Sequence, residues 1–152
     1  MLAAILTLTL SAALAEQGAR YFVIVADSYV QAVRPLADWK TAKGVLAKVV
    51  PISQIGILPS QIQAYIRNAY NTWPVRPEYV LLAGSPTSIP SYGDNNDCYY
   101  GDMSGDQKME ISVGRFPAEN LLTKILYKVL SQAQLISGSQ FQDFISLDQT
   151  LR

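Results

Sequence analysis

The sequence predicts an α/β domain of three layers, a mainly parallel β-sheet with helices flanking both faces. Three observations carry this. Residues 21–26 and 78–84 carry apolar runs rich in β-branched and aromatic residues, the pattern of strands buried on both faces, and 45–50 reads as a further strand between them. Two stretches between them place apolar residues at helical spacing. Strands and helices that alternate in this way join through right-handed crossovers, which makes the strands parallel within one sheet.

The first strand is 21–26, Tyr-Phe-Val-Ile-Val-Ala. Asp27 and Ser28 then offer a helix cap. A helix is expected over 29–43, with Val30, Val33, Leu36, Ala37 and Lys40 along one side. Gly44 suits its C-terminus, and Pro35 must sit in the first turns or at a kink. The second strand is 45–50, followed by a connection over 51–59. Ser60 and Gln63 fit a capping box, Ser60 as the cap and Gln63 reaching back. Ile62, Ile66, Ala69 and Trp73 form the apolar face of the helix that follows, and Pro74 and Pro77 stop it. The third strand and its exit turn are 78–84. Residues 91–108 are dense in Gly, Asp, Asn, Tyr and Ser and read as a long loop. A short strand, 111–116, leaves that loop. Pro117 suits the first turn of a last helix with the stripe Leu122, Ile125, Val129, Ala133 and Ile136. The folded unit is therefore 21–136, and 137–152 is a tail with no strong element, expected to be a truncated end.

Composition narrows the function. The chain has 152 residues, enough for one domain with a real core; 49% are hydrophobic and 16% charged, which is a folding sequence. The formal net charge is zero, with no basic stripe, so nucleic acid is not an expected partner. Histidine is absent, which removes His-dependent nucleophile systems and His-based metal sites from these residues. A single cysteine, Cys98, leaves no intramolecular disulfide. Residues 1–15 read as a signal peptide, uncharged, rich in Leu and Ala, and ending in Ala13-Leu14-Ala15. The stretch is short for a stable membrane span. The expected location is secreted, periplasmic or at the cell surface.

The candidate chemistry lies at the carboxyl ends of the strands, where an open parallel sheet forms its crevice, here Asp27, Pro51 and Gly84-Ser85. The most chemical stretch is 102–110. Asp102, Ser104, Asp106 and Glu110 could offer oxygen ligands to calcium, a hard cation, around the turn at Gly105. An ordinary solvated acidic turn has the same composition. Cys98 has no histidine to activate it and reads as a partly buried, inert thiol. Asp27 is more simply a cap than a magnesium ligand, and Ser85, outside any Gly-x-Ser-x-Gly elbow, is a turn residue. No Gly-x-Gly-x-x-Gly follows the first strand, which argues against dinucleotide binding.

The segments, in their order, resemble the gingipain-type cysteine peptidases. The run 21–26 resembles the family's first strand, and Leu36 to Gly44 (LADWKTAKG) its helix end. Residues 62–70 (IQAYIRNAY) and 78–84 (EYVLLAG), with Ile89-Pro90 after them, continue the match. Tyr99-Tyr100-Gly101-Asp102 and Val113-Gly114-Arg115-Phe116, followed by Ala118-Glu119-Asn120, complete it, so the resemblance covers about 21–130. It implies the first sub-domain of a caspase-like fold, a flavodoxin-like half-domain by itself. It also implies that the His and Cys catalytic pair lies in a second sub-domain, or in a partner chain, that this sequence lacks. No residue here matches that pair, so the portion is expected to be inactive alone, and a protein or peptide substrate belongs to the full-length family. The resemblance further implies calcium at Asp102, Asp106 and Glu110, with Ser104 through an oxygen. A non-catalytic exported calcium-binding module is the alternative.

Overall fold

The structure is a computed structural model and describes residues 17–116. The expected signal peptide (1–15), the last helix from Pro117 through Leu122, Ile125, Val129, Ala133 and Ile136, and the tail (137–152) lie outside the described residues. Within them the elements run β1 (Tyr21–Val25), α1 (Val30–Ala42), β2 (Ala47–Pro51), α2 (Pro59–Thr72), β3 (Tyr79–Ala83) and β4 (Ser112–Phe116). Short 3-10 turns fill Asp27–Tyr29, Ile52–Gln54 and Asp97–Gly101. The strands lie in the order β2-β1-β3-β4, and every neighbouring pair is parallel.

Strand alternation explains the three layers. Side chains two apart on a strand share a face, so Phe22 and Ile24 point one way and Val23 and Val25 the other. The first face packs with Val80 and Leu82 of β3 against Ile62 and Ile66 of α2. The second packs with Leu81 and Ala83 against Val33 and Leu36 of α1. Phe22 to Val25 are fully buried, which is why the run reads as continuously apolar. Each such side chain contributes about 1.5–3 kcal/mol on leaving water. On the α2 side, Trp73 meets the Phe22 ring edge-on at 5.1 Å and closes the bottom of the core. At the amino ends of the strands, Arg20 forks onto Glu78 with contacts of 3.0 and 2.7 Å, joining the feet of β1 and β3 in solvent.

The ends of the elements differ from the expected ones for identifiable reasons. Val45 is not yet strand, because its N–H bonds back to the Lys40 carbonyl as part of the α1 exit; β2 begins at Ala47. Gly44 does hold the left-handed conformation expected there, with φ +85. Asp27 and Ser28 do not cap α1, whose N-cap is Tyr29 without a side-chain bond. They are taken up by the 3-10 turn, and the Asp27 carboxylate accepts bonds from Ser53 N–H (3.3 Å) and Ser53 Oγ (2.8 Å). It thus ties the exits of β1 and β2 together. Pro35 falls in the second turn of α1, on its exposed side.

The capping box at Ser60 and Gln63 is also displaced. Pro59 takes the first helical position, which suits its fixed φ and missing N–H, and Leu58 becomes the N-cap. Leucine has no side-chain acceptor, so half of a box forms, with Gln61 Oε1 accepting from the Leu58 N–H at 3.1 Å. Gln63 is buried instead, at 8% exposure, and turns toward the long loop. None of the described helices is long and apolar enough to cross a membrane.

Candidate functional site at the carboxyl edge of the sheet

Two loops gather at the carboxyl ends of β3 and β4, and Arg115 organises both. Its position on β4, level with Leu82 of β3, sends the side chain toward the α2 face. All five guanidinium N–H donors find acceptors. Nε and Nη2 form a fork onto Asp97 Oδ2 (2.6 Å) and Oδ1 (2.7 Å). Nη1 donates to the Gly84 carbonyl (3.0 Å) and the Ile89 carbonyl (2.8 Å), and Nη2 also reaches Ser91 Oγ (3.2 Å). One side chain thus clamps the β3 exit, the 85–91 turn and the 3-10 turn Asp97–Gly101. The guanidinium suits this task because its planar donors match a carboxylate and carbonyls together. Burial alone would raise the Asp97 pKa, but hydrogen bonds from Arg115 and Ser91 and the Arg115 charge outweigh it and hold the carboxyl below its usual range. Tyr100, fully buried beside the pair, donates its hydroxyl to the Pro90 carbonyl. Burial pushes its pKa up to about 12, and the Arg115 charge opposes that only partly.

The strand-end hydroxyls and acids do not form a nucleophile system. Ser85 behaves as the expected turn residue. Its carbonyl accepts from Ser88 and Ile89 N–H, and its Oγ lies 2.6 Å from Thr87 Oγ1. Cys98 corrects the expectation of a partly buried thiol, for it is exposed. A 3-10 turn repeats every three residues. Asp97 and Tyr100 therefore share the inward side, and Cys98 between them faces out. Its backbone N–H bonds to Asn96 Oδ1 at 3.0 Å, closing the start of that turn.

The acidic loop 102–110 is closed at its neck by Gly101, whose carbonyl accepts from both Glu110 and Ile111 N–H. A Cβ at Gly101 would stand 2.4 Å from the Ile111 carbonyl oxygen, so only glycine fits this approach. The structure brings three of the four predicted ligands together. Ser104 Oγ lies 2.8 Å from Asp106 Oδ1 and 3.0 Å from Glu110 Oε1. Asp102 is turned into the loop backbone, accepting from Gly105 N–H (2.6 Å) and Gln107 N–H (3.0 Å). Hydrogen bonds lower both remaining carboxyls. For Asp106 they come from the Ser104 hydroxyl and then from Lys108, and for Glu110 from Met103 N–H ahead of Ser104. Among the described residues no three Asp, Glu, Cys or His side chains gather as a metal site. The chemistry nonetheless fits a hard cation in part. Ser104 has one hydroxyl proton for two carboxylate oxygens, so one of its two short contacts is always oxygen against oxygen without a proton. Three oxygens are fewer than the six to eight that calcium takes, and main-chain carbonyls or water would complete the shell.

Two working residues were not singled out from sequence. Arg115 lies within the short strand run 111–116, and the spacing alone places Gln63 in a helix cap. Gln63 Nε2 donates to the Tyr99 and Asp102 carbonyls, both at 3.2 Å, and so joins α2 to the acidic loop. The signal for Gln63 was available, since it follows Ile62 inside an apolar helix face where an exposed amide would not sit.

The chain matches the profile of peptidase family C25 over residues 14–143. Its fold is similar to that of RgpB from Porphyromonas gingivalis, in a complex of pro- and mature domains. The TM-score is 0.68 at 28% identity, over 73% of this chain and 28% of that one. It is similar as well to the crystal structure of the Arg-specific cysteine proteinase gingipain R (RgpB), with TM-score 0.66 and 28% identity over 75% and 27% of the two chains. A structure described only as a protease shares the fold, with TM-score 0.66 and 24% identity over 74% of this chain and 28% of that one. No curated protein matches in sequence. The chain spans about 28% of the length of the first solved structure that it matches. On the profile match and the shared parallel sheet, the chain belongs to peptidase family C25, the gingipain family.

Proposed function

We propose that these residues form the N-terminal α/β portion of a secreted, gingipain-like cysteine endopeptidase, a portion that frames the crevice and does not itself cleave. The supporting observation is the match of this sheet to gingipain R in a sequence that has no histidine. Peptide cleavage by a thiolate requires a base to take the thiol proton, a positioned nucleophile and a polarised carbonyl. Cys98 sits on an exposed turn, and no imidazole exists in the sequence to serve it. The nucleophile and base therefore come from a second sub-domain outside these residues. The Arg115 clamp contributes by fixing the loops that face a protein or peptide substrate. The test is a thiol-dependent peptidase assay on the 152-residue chain, alone and mixed with the sub-domain that supplies the His and Cys. No cleavage alone and cleavage by the pair is expected. Cleavage by the chain alone that disappears in Cys98→Ser overturns the proposal.

The acidic loop is proposed to hold calcium through Ser104, Asp106 and Glu110, with Asp102 shaping the loop around them. The single proton of Ser104 favours this reading, because a cation there relieves the contact between its hydroxyl oxygen and whichever carboxylate oxygen the proton does not serve. An ion bound only by the folded state at about 100 times its Kd adds about 2.7 kcal/mol. Calorimetric titration with calcium should release or absorb heat and raise the Tm, and Glu110→Gln should abolish both. Absence of heat and of any Tm change rules calcium out. A stable, soluble, monomeric product that binds calcium and gains no activity from a second sub-domain would favour the exported calcium-binding module instead.

A further inference from the structure

A cleft of about 830 Å³ opens between α2, the 3-10 turn Asp97–Gly101 and the acidic loop. That volume lies in the range of small-molecule sites, roughly 300–1,000 Å³. Neither the sheet core nor the Arg115 clamp uses it. Its walls are chemically unequal. On the α2 side stands Arg67, one turn after Gln63. Its guanidinium has no carboxylate partner among the described residues. Nη2 reaches only the Asp102 carbonyl, at 3.4 Å, and Nε is buried with no acceptor at all. The acids nearby are already engaged. Both Asp102 oxygens, although on the cleft wall, take loop amides, and Asp97 takes Arg115. The buried Nε is closed to any ligand, but the rest of the guanidinium lines the cleft as a positive charge that no described carboxylate pairs with, and an anion there would gain a charge-assisted hydrogen bond.

The other walls set flat apolar groups, Tyr92, Tyr99 and Met109, beside the polar Asn96 and Gln107. Tyr92 and Tyr99 stack with ring centroids 3.9 Å apart and planes 15° apart. Tyr92 and Met109 are 48% and 45% exposed, and Cys98 lies on the same rim. We infer that this cleft binds a carboxylate carried on a flat apolar body, with the carboxylate on the guanidinium end of Arg67 that lines the cleft and the body against Tyr92 and Met109. One unpaired guanidinium suits one negative charge, and its fork matches a planar carboxylate. The same chemistry could come from a free aromatic acid or from a Glu side chain next to an aromatic residue in a peptide. This site does not rest on the peptidase reading, and it uses no residue of the Arg115 clamp.

Cys98 is the sole cysteine, so its alkylation by iodoacetamide reports occupancy of the cleft. The probes are 2-naphthoate, its neutral amide 2-naphthamide, and the peptide acetyl-Glu-Tyr-amide, each titrated against the full chain. The expected result is that saturating 2-naphthoate slows alkylation about 5-fold or more and 2-naphthamide does not. Arg67→Gln should remove the protection with the thermal transition retained. Protection by naphthoate alone assigns the site to free organic acids. Protection by the peptide alone assigns it to peptide side chains, and protection by both supports the shared chemistry. If Arg67→Gln does not fold, Tyr92→Ala, at an exposed ring, must weaken protection at least 3-fold. No protection by either carboxylate, equal protection by the amide, or protection unaltered in a folded Arg67→Gln or in Tyr92→Ala overturns the inference.

Discussion

Replacing Arg115 with methionine keeps the unbranched stem of the side chain and removes the guanidinium with all five of its hydrogen bonds. What remains is a carboxylate, Asp97, and two main-chain carbonyls, Gly84 and Ile89, with their donor gone. The pair is largely enclosed, with 11% of the Arg115 side chain and 24% of the Asp97 side chain exposed. Removing one partner of a buried pair costs about 3–5 kcal/mol; with Asp97 partly reached by water, about 2–4 kcal/mol is expected here. With a urea m-value of about 2 kcal/mol/M, the midpoint should fall by about 1–2 M. Arg115→Lys should recover only part of this, since an ammonium cannot serve the carboxylate and two carbonyls in one plane. Asp97→Asn, which leaves an uncharged acceptor for Arg115, belongs in a double-mutant cycle with Arg115→Met, and a coupling above about 1 kcal/mol is expected between residues in such contact. The pair also has a pH signature. The folded Asp97 pKa is depressed, so its contribution is full above the unfolded value of about 3.9 and is lost as pH falls through the folded value. The wild type should therefore lose stability more steeply than Asp97→Asn below about pH 4. A midpoint for Arg115→Met within 0.3 M of wild type, roughly 0.5 kcal/mol at that m-value, would refute the clamp.

Three further outcomes are expected. Tyr100 is raised to about 12, so its contribution is full below the unfolded value of about 10 and is lost as pH rises from there toward 12. Chemical denaturation of Tyr100→Phe should show a shallower decline in that window than wild type, and equal slopes would exclude Tyr100 as the cause. Gln63→Met removes the amide donor from the Tyr99 carbonyl and leaves the Asp102 carbonyl with only the longer contact from Arg67, and should cost about 1–3 kcal/mol. Loop amides of 102–110 should then exchange hydrogen faster, and unchanged exchange would show that Gln63 does not hold the loop. Gly101→Ala forces a methyl against the Ile111 carbonyl and should cost about 1–3 kcal/mol, read as a lower Tm. A Tm within 1 °C of wild type would mean that the neck of the loop gives way freely.

The strands were legible because burial on both faces leaves a plain mark, a run such as Phe22 to Val25 with no polar break. The ends of the helices were less so. Ser60 and Gln63 satisfy the spacing of a cap box, but Pro59 at the first helical position moves the start, and Gln61 takes the role that spacing had given to Gln63. The acidic loop was legible as a turn rich in oxygen side chains. Which oxygens converge depended on Gly101 closing the neck and on Asp102 turning toward its own backbone, neither of which a linear pattern encodes. The Arg115 clamp was the least visible feature. Its acceptors lie on three pieces of chain, Gly84 at the β3 exit, Ile89 and Ser91 on the 85–91 turn and Asp97 on the 3-10 turn, and the parallel register of β3 with β4 brings them within reach of one guanidinium.

The position of β1 in the sheet has a consequence for how the chain is made. β1 is synthesised before the other strands and, with neighbours on both sides, needs two later partners. Its pairing with β2 closes over a single helix, but its pairing with β3 must wait, and the Arg20–Glu78 fork at their feet spans 58 residues of sequence. At translation speeds of roughly 5–20 residues per second, the second edge of this strand stays open for about 3–12 s. During that interval Phe-Val-Ile-Val is an unpaired, uncharged ribbon of high strand propensity, the kind of segment that other nascent chains pair with. The length of this exposure is set by strand order and not by the stability of the finished sheet.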